Sequence, residues 1–295
     1  MNRRVVAGHA ALATVQVFFG LFPIFGTLAF TDGGFSPLGL VSWRIAAGAL
    51  ALGGLAFATY GRAAIPRRED WPRLIACGLL GAALNQSLFL AGLDRTTPMN
   101  AGLMMSLIPV FTFTVATAVR QERFNPVRAL GVAVALSGAV LLLVGRGGGF
   151  ARGYGFGNLL IALNGFSYAC YLVIAKRLVS RYPPLVVIGW VYILALPYLI
   201  YFVPGETLVA ERSNVAAWTS LAYILLFPTI LAYLLNMFAL ERVRATTTAV
   251  YIYAQPLVAG LASWIIFGER LTTGMAIAAA CLFVGIWLVA RRPPA

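Results

Sequence analysis

Charge is scarce in this sequence. Its 295 residues include 22 basic and 9 acidic side chains, 11% in all, while 61% are hydrophobic and the mean hydropathy is +0.87. A water-soluble domain carries about 25% charged residues. So few charges cannot cover the surface of a soluble protein of this size, which sets aside soluble enzymes and nucleic-acid binders. Histidine occurs once and cysteine three times. Cys77, Cys170 and Cys281 stand singly in apolar runs with no metal-ligand spacing, so they read as packing residues. There is no HExxH, no GxSxG elbow and no cluster of acids. The chain is therefore expected to be no enzyme and to hold no metal and no cofactor. Acids are also missing from the apolar runs, since all nine fall at run ends or between runs. A proton-driven antiporter of cations ordinarily needs a carboxylate inside the membrane, so that coupling is not expected.

What the chain has instead is apolar length. A membrane-spanning helix takes about 20 residues. Apolar runs bounded by charges or turn residues fall at 9–30, 38–59, 73–93, 98–119, 127–145, 156–178, 185–203, 215–239, 245–267 and 273–290. The alternating pattern of a membrane β-barrel is absent, and the first run is longer than the apolar core of a cleaved signal peptide. The expectation is an all-α integral membrane protein of ten transmembrane helices. With the N-terminus inside, 16 basic residues fall on the inner side and five on the outer, and Arg44 alone sits within a span. That asymmetry places both termini in the cytoplasm. It also accounts for the net charge of +13 without a nucleic-acid partner.

The sequence repeats itself at an offset of 147 residues. Leu93, Arg95, Pro109, Glu122, Arg123 and Gly138 fall on Leu240, Arg242, Pro256, Glu269, Arg270 and Gly285, and Trp43 falls on Trp190. Five spans per unit is an odd number, so two units in series take opposite orientations. The predicted organisation is a first five-helix repeat over 1–145, a Gly-rich periplasmic linker over 146–155 and a second repeat over 156–295. Inverted repeats are a transporter architecture with the site near the midplane.

The chain resembles the EamA-type members of the drug/metabolite transporter superfamily along its whole length. The resemblance rests on Trp43-Arg44 with Ala47, and on two proline-to-glutamate units, Pro109 to Glu122-Arg123 and Pro256 to Glu269-Arg270. The first unit departs from the family pattern, with Gln121 where the second has Gly268. The resemblance implies a bacterial inner-membrane exporter or facilitator of small metabolites, with amino acids, aromatic ones included, as the best-known cargo. Nucleotide-sugar or phosphorylated-metabolite carriers and multidrug exporters are the alternatives. The anionic cargoes want several buried cations, and only Arg44 is available.

Neutral polar residues recur on common helical faces. Asn164, Tyr168 and Tyr171 stand at i, i+4 and i+7, as do Thr229, Tyr233 and Asn236, while Thr248, Tyr251 and Gln255 stand at i, i+3 and i+7. Such intervals stack side chains on one face. Gln16, Asn85 and Gln86 add amides in the first and third spans. Amides facing lipid are costly, so these groups are predicted to line a substrate cavity shared by the two repeats. Tyr168, Tyr233, Tyr251 and Gln255 are expected to matter most. Arg44 carries two readings, a carboxylate anchor or a structural arginine that snorkels outward or bonds backbone carbonyls. Pro109 and Pro256, repeat-related and mid-span, are candidate hinges for gating.

Overall fold

A computed structural model describes residues 3–30, 32–96, 101, 104–144, 154–255, 258 and 273–290. The described residues contain helices and turns and no β-strand. In chain order they are α1 (Arg3–Ala29), α2 (Pro37–Ala64), α3 (Arg68–Leu93), α4 (Ile108–Ala118), α5 (Pro126–Val144), α6 (Gly155–Leu178), α7 (Pro184–Tyr201), α8 (Val215–Arg242), α9 (Ala245–Val250) and α10 (Thr273–Ala290). Six of them, α1, α2, α3, α6, α7 and α8, are long and apolar enough to cross a membrane.

Local chemistry sets the starts. Ser36 Oγ accepts the Gly39 N–H at 3.2 Å, with Pro37 in the first turn of α2. Asn125 does the same for α5, accepting the Arg128 N–H at 3.1 Å ahead of Pro126. Asn214 caps α8 through the Ala217 N–H at 2.9 Å. Pro109 behaves differently from the sequence expectation. The chain turns at Ser106 and Leu107, and α4 starts afresh with Pro109 in its first turn, where a missing N–H costs nothing. It marks a break between two helical pieces rather than a bend inside one. Pro256 and Glu269 lie outside the described residues, as does most of the 146–155 linker.

The burial pattern is that of a protein dissolved in lipid. On α6 the apolar Leu159, Leu163 and Phe166 are exposed, while Asn158, Asn164 and Ser167 are buried. With hydrocarbon as solvent, polar groups must find partners inside the bundle.

Three helices loosen into π turns, at Ala49–Gly53 in α2, Leu79–Ala83 in α3 and Leu225–Leu231 in α8. The turns in α3 and α8 sit at repeat-equivalent positions, with Gly81 on Pro228. Freed carbonyls there take side-chain donors. The Ser167 hydroxyl donates to Leu80 O at 2.7 Å, and the Thr229 hydroxyl donates to Ile224 O at 2.7 Å.

Packing between the halves is reciprocal. Helix α3 packs on α6 as α8 packs on α1, while α5 packs on α10 and α2 on α7. The tryptophans follow the same exchange. Trp43 of α2 donates to Leu208 O beyond α7 at 2.7 Å, and Trp190 of α7 donates to Ala64 O at the end of α2 at 2.7 Å.

Candidate substrate cavity

Between the halves lies a cavity of about 70 Å³. Its wall takes Gln16 from α1, Arg44 from α2 and Asn85 and Gln86 from α3. From the other half come Asn164 and Tyr168 on α6 and Tyr233 and Asn236 on α8, with Thr248 on α9 and Gln255 just beyond it. Eight of the ten residues expected from the sequence thus meet at one place.

Two do not. Tyr171 lies two helical turns from Asn164, about 10 Å along the axis, and packs against Gly81 and Met237 instead, its hydroxyl donating to Met237 Sδ at 3.4 Å. Tyr251 misses because its backbone changes period. The chain after α9 tightens into a 3₁₀ turn over Tyr251–Ala254. Three residues per turn put Ile252 and Gln255 on the cavity face and swing Tyr251 aside. Its hydroxyl shares a hydrogen bond with His9 Nδ1 at 2.9 Å on α1.

Most of the amides are tied across the two halves, and Asn236 bonds within the second. Asn164 Nδ2 donates to Asn85 O at 2.7 Å, and Asn85 Nδ2 returns a longer bond to Asn164 O at 3.4 Å. Gln86 Nε2 donates to the Tyr192 hydroxyl at 3.1 Å, and Asn236 Nδ2 to the Tyr168 hydroxyl at 3.1 Å. Gln255 Nε2 donates to Gln16 Oε1 at 2.9 Å. The Tyr233 hydroxyl lies 3.1 Å from Gly81 O and 3.3 Å from Asn85 Oδ1. Two acceptors are left over: Gln86 Oε1 and Asn164 Oδ1 are buried with no partner among the described residues.

Arg44 is the cation of this site. It is 2% exposed, so it does not snorkel to the surface. Its Nε donates to Thr229 Oγ1 at 2.8 Å, and its guanidinium carbon stands 4.6 Å from the centre of the Phe22 ring. A guanidinium has five N–H donors, and among the described residues only Nε has a hydrogen-bond partner. No carboxylate lines the cavity among the described residues. Among the described residues the buried acids are Asp70, at the start of α3, and Glu122, in the loop between α4 and α5. Asp70 takes Tyr182, Arg73 and Arg181, and Glu122 takes Arg128.

Apolar walls complete the site. Phe19, Phe22 and Phe89 face it along with Met105, and Phe22 stacks on Phe89 with centroids 5.2 Å apart. Tyr233 meets Phe19 and Tyr192 edge-on at 6.2 and 5.4 Å. Sequence reasoning did not single out these phenylalanines, because nothing in their spacing separates a cavity wall from ordinary packing.

The profile of the EamA-like transporter family matches residues 6–144 and again residues 155–291. An uncharacterized transporter of Bacillus subtilis, YdfC, is 27% identical over 80% of this chain and 76% of its own length. A second one from that organism, YyaM, is 24% identical over 94% of this chain and 93% of its own. A probable terminal-alkyne amino-acid exporter of Streptantibioticus cattleyicolor is 26% identical over 77% of this chain and 75% of its own length. One solved crystal structure, described only as that of a protein, superposes with a TM-score of 0.77 at 22% identity, covering 97% of this chain and 95% of the other, and so shares the fold.

Proposed function

The chain belongs to the EamA-like transporter family, a group of multi-pass membrane proteins, and from that membership we propose that it carries small zwitterions, aromatic amino acids foremost, by alternating access at the central cavity. Arg44 carries the reading. A buried cation without a counter-charge is costly, and a carboxylate arriving with the cargo would relieve that cost. Gln86 Oε1 and Asn164 Oδ1, the two cavity-lining amide oxygens without partners among the described residues, suit the N–H donors of an α-ammonium group. The phenyl and phenol rings suit an aromatic side chain. A cargo with two or three negative charges, such as a phosphorylated sugar, would leave charge unmatched by the single guanidinium. That argues against the phosphorylated-metabolite alternative.

The two matches to the family profile and the reciprocal packing support an inverted-repeat, ten-span organisation. The basic ends of the helices support cytoplasmic termini in a bacterial inner membrane. At about 70 Å³ the cavity is narrow for a whole amino acid, and cargo entry is part of the proposed movement of the two halves. With no carboxylate lining the cavity among the described residues to carry protons, the proposed movement is downhill in either direction.

Purified protein in liposomes tests this through counterflow of phenylalanine, its carboxamide and its decarboxylated amine, without a pH gradient. Exchange of the amino acid, with the amide and the amine both poor, is expected. Equal exchange of all three, or exchange only under an imposed proton gradient, would overturn the reading.

A further inference from the structure

A second cavity, of about 420 Å³, opens at the end of the bundle where α4, α6 and α8 finish and α5 and α9 begin. Four cations line it, Arg123, Arg128, Lys176 and Arg244, against one carboxylate, Glu122. Two of the five charges are already committed to backbone. Lys176 Nζ donates to Leu240 O at 2.5 Å and Val243 O at 2.6 Å, closing the end of α8. Glu122 Oε1 accepts the Thr246 N–H at 3.2 Å at the start of α9, and its Oε2 takes Arg128 at 3.2 Å. One carboxylate is thereby spent on an amide and a guanidinium, and the positive excess remains. Arg128 is 6% exposed, and its Nε has no hydrogen-bond partner among the described residues. A buried guanidinium N–H without an acceptor is costly, and a well-placed anion would satisfy it. The side chains of Arg123 and Arg244 have no hydrogen-bonding or ionic partner among the described residues.

We propose that this basic cavity binds a phosphate-bearing anion, and that the resident ligand is the headgroup of an anionic phospholipid. Guanidinium forks match phosphate oxygens bidentately. The cavity lies at helix ends, the level at which headgroups meet a membrane protein, and basic pockets between membrane helices are suited to them. A general excess of basic residues at one face would keep a membrane protein oriented, but would not need a guanidinium buried without its full set of acceptors. The position also matters for the central site. The turn from α8 to α9 is the wall of the basic cavity, and the chain beyond it supplies Thr248, Ile252 and Gln255 to the midplane cavity. An anion bound here would hold the start of α9 in place. None of the residues lining the basic cavity lines the midplane cavity, so the inference stands whether or not the cargo is an amino acid.

The test is thermal unfolding of the detergent-purified full-length protein, followed by tryptophan fluorescence, against titrated phosphatidylglycerol, phosphatidylcholine and inorganic phosphate. Phosphatidylglycerol is expected to raise the midpoint saturably while phosphatidylcholine does not. The double variant Arg123→Gln/Arg244→Gln is expected to weaken the apparent affinity roughly tenfold or more, and Arg123→Lys/Arg244→Lys to retain part of it. An effect of millimolar inorganic phosphate as large as that of the lipid, lost in the glutamine pair, would keep the phosphate site and replace the lipid by a soluble ligand. An equal response to both lipids, or an undiminished response in a glutamine pair that elutes as the wild type does, would overturn the proposal.

Discussion

Arg44 and Tyr233 divide the work of the proposed site between a charge and a ring. Hydrogen bonds to charged groups contribute about 1.5–3 kcal/mol, and 1.4 kcal/mol is tenfold in affinity. Arg44→Gln is therefore expected to raise the half-saturation concentration for phenylalanine roughly tenfold or more and to erase the preference over its amide. Arg44→Lys keeps the charge without the fork and is expected to fall between. Tyr233→Ala removes edge contacts worth about 0.5–1.5 kcal/mol per aromatic pair, so a rise of roughly three- to tenfold is expected, confined to aromatic cargo. Transport has to be read alongside each variant's amount in the membrane. Unchanged selectivity in Arg44→Gln would make Arg44 a tie to Thr229 and nothing more. At this scale the sequence was informative where helical spacing held. Asn164 with Tyr168, and Tyr233 with Asn236, come to the cavity as their intervals required. Tyr251 escaped because the 3₁₀ turn changes the period, and no residue in Tyr251–Ala254 announces that change. The depth of Arg44 also follows from tertiary packing, which spacing along one helix cannot supply.

The π turns are the elements that spacing did not reveal. Those of α3 and α8 occupy equivalent places in the two repeats, yet one carries Gly81 and the other Pro228. Pro228 signals a bend in α8, while Leu79–Ala83 reads as ordinary apolar helix. At Gly81 a β-carbon would run into the Tyr171 ring, so the close approach of α3 and α6 depends on glycine there. Inserting bulk into a packed interior costs about 1–3 kcal/mol. Gly81→Val is accordingly expected to lower the unfolding midpoint, and Tyr171→Ala in the same chain to recover part of the loss. If Gly81→Val alone leaves the midpoint unchanged, the two helices are less closely seated than the structure has them. The proline elements were half legible. Their places were evident, but Pro109 begins a helix instead of bending one, because the turn at Ser106 and Leu107 already interrupts the chain.

On the scale of the whole molecule, the reciprocal tryptophan bonds and the pairing of α3 with α6 and α8 with α1 give the two halves matching contacts, as the proposed inverted repeat requires. Under the proposed alternating access, two such halves would have two equivalent ways of meeting, one open to each side, with the cavity between them. The internal repeat was plain in the sequence because Trp43, Pro109 and Glu122 recur at one offset. How far the cavity closes depends on side-chain packing and was not. Alternating access is the central claim, and it is tested most directly with one cysteine. Met105 lines the cavity. In a chain whose Cys77, Cys170 and Cys281 are replaced by alanine, Met105→Cys is exposed to a membrane-impermeant maleimide from one side or the other of sealed vesicles of known orientation. The account predicts labelling from both sides, slowed in each case by phenylalanine. Labelling from one side only, or labelling that cargo does not slow, would contradict it.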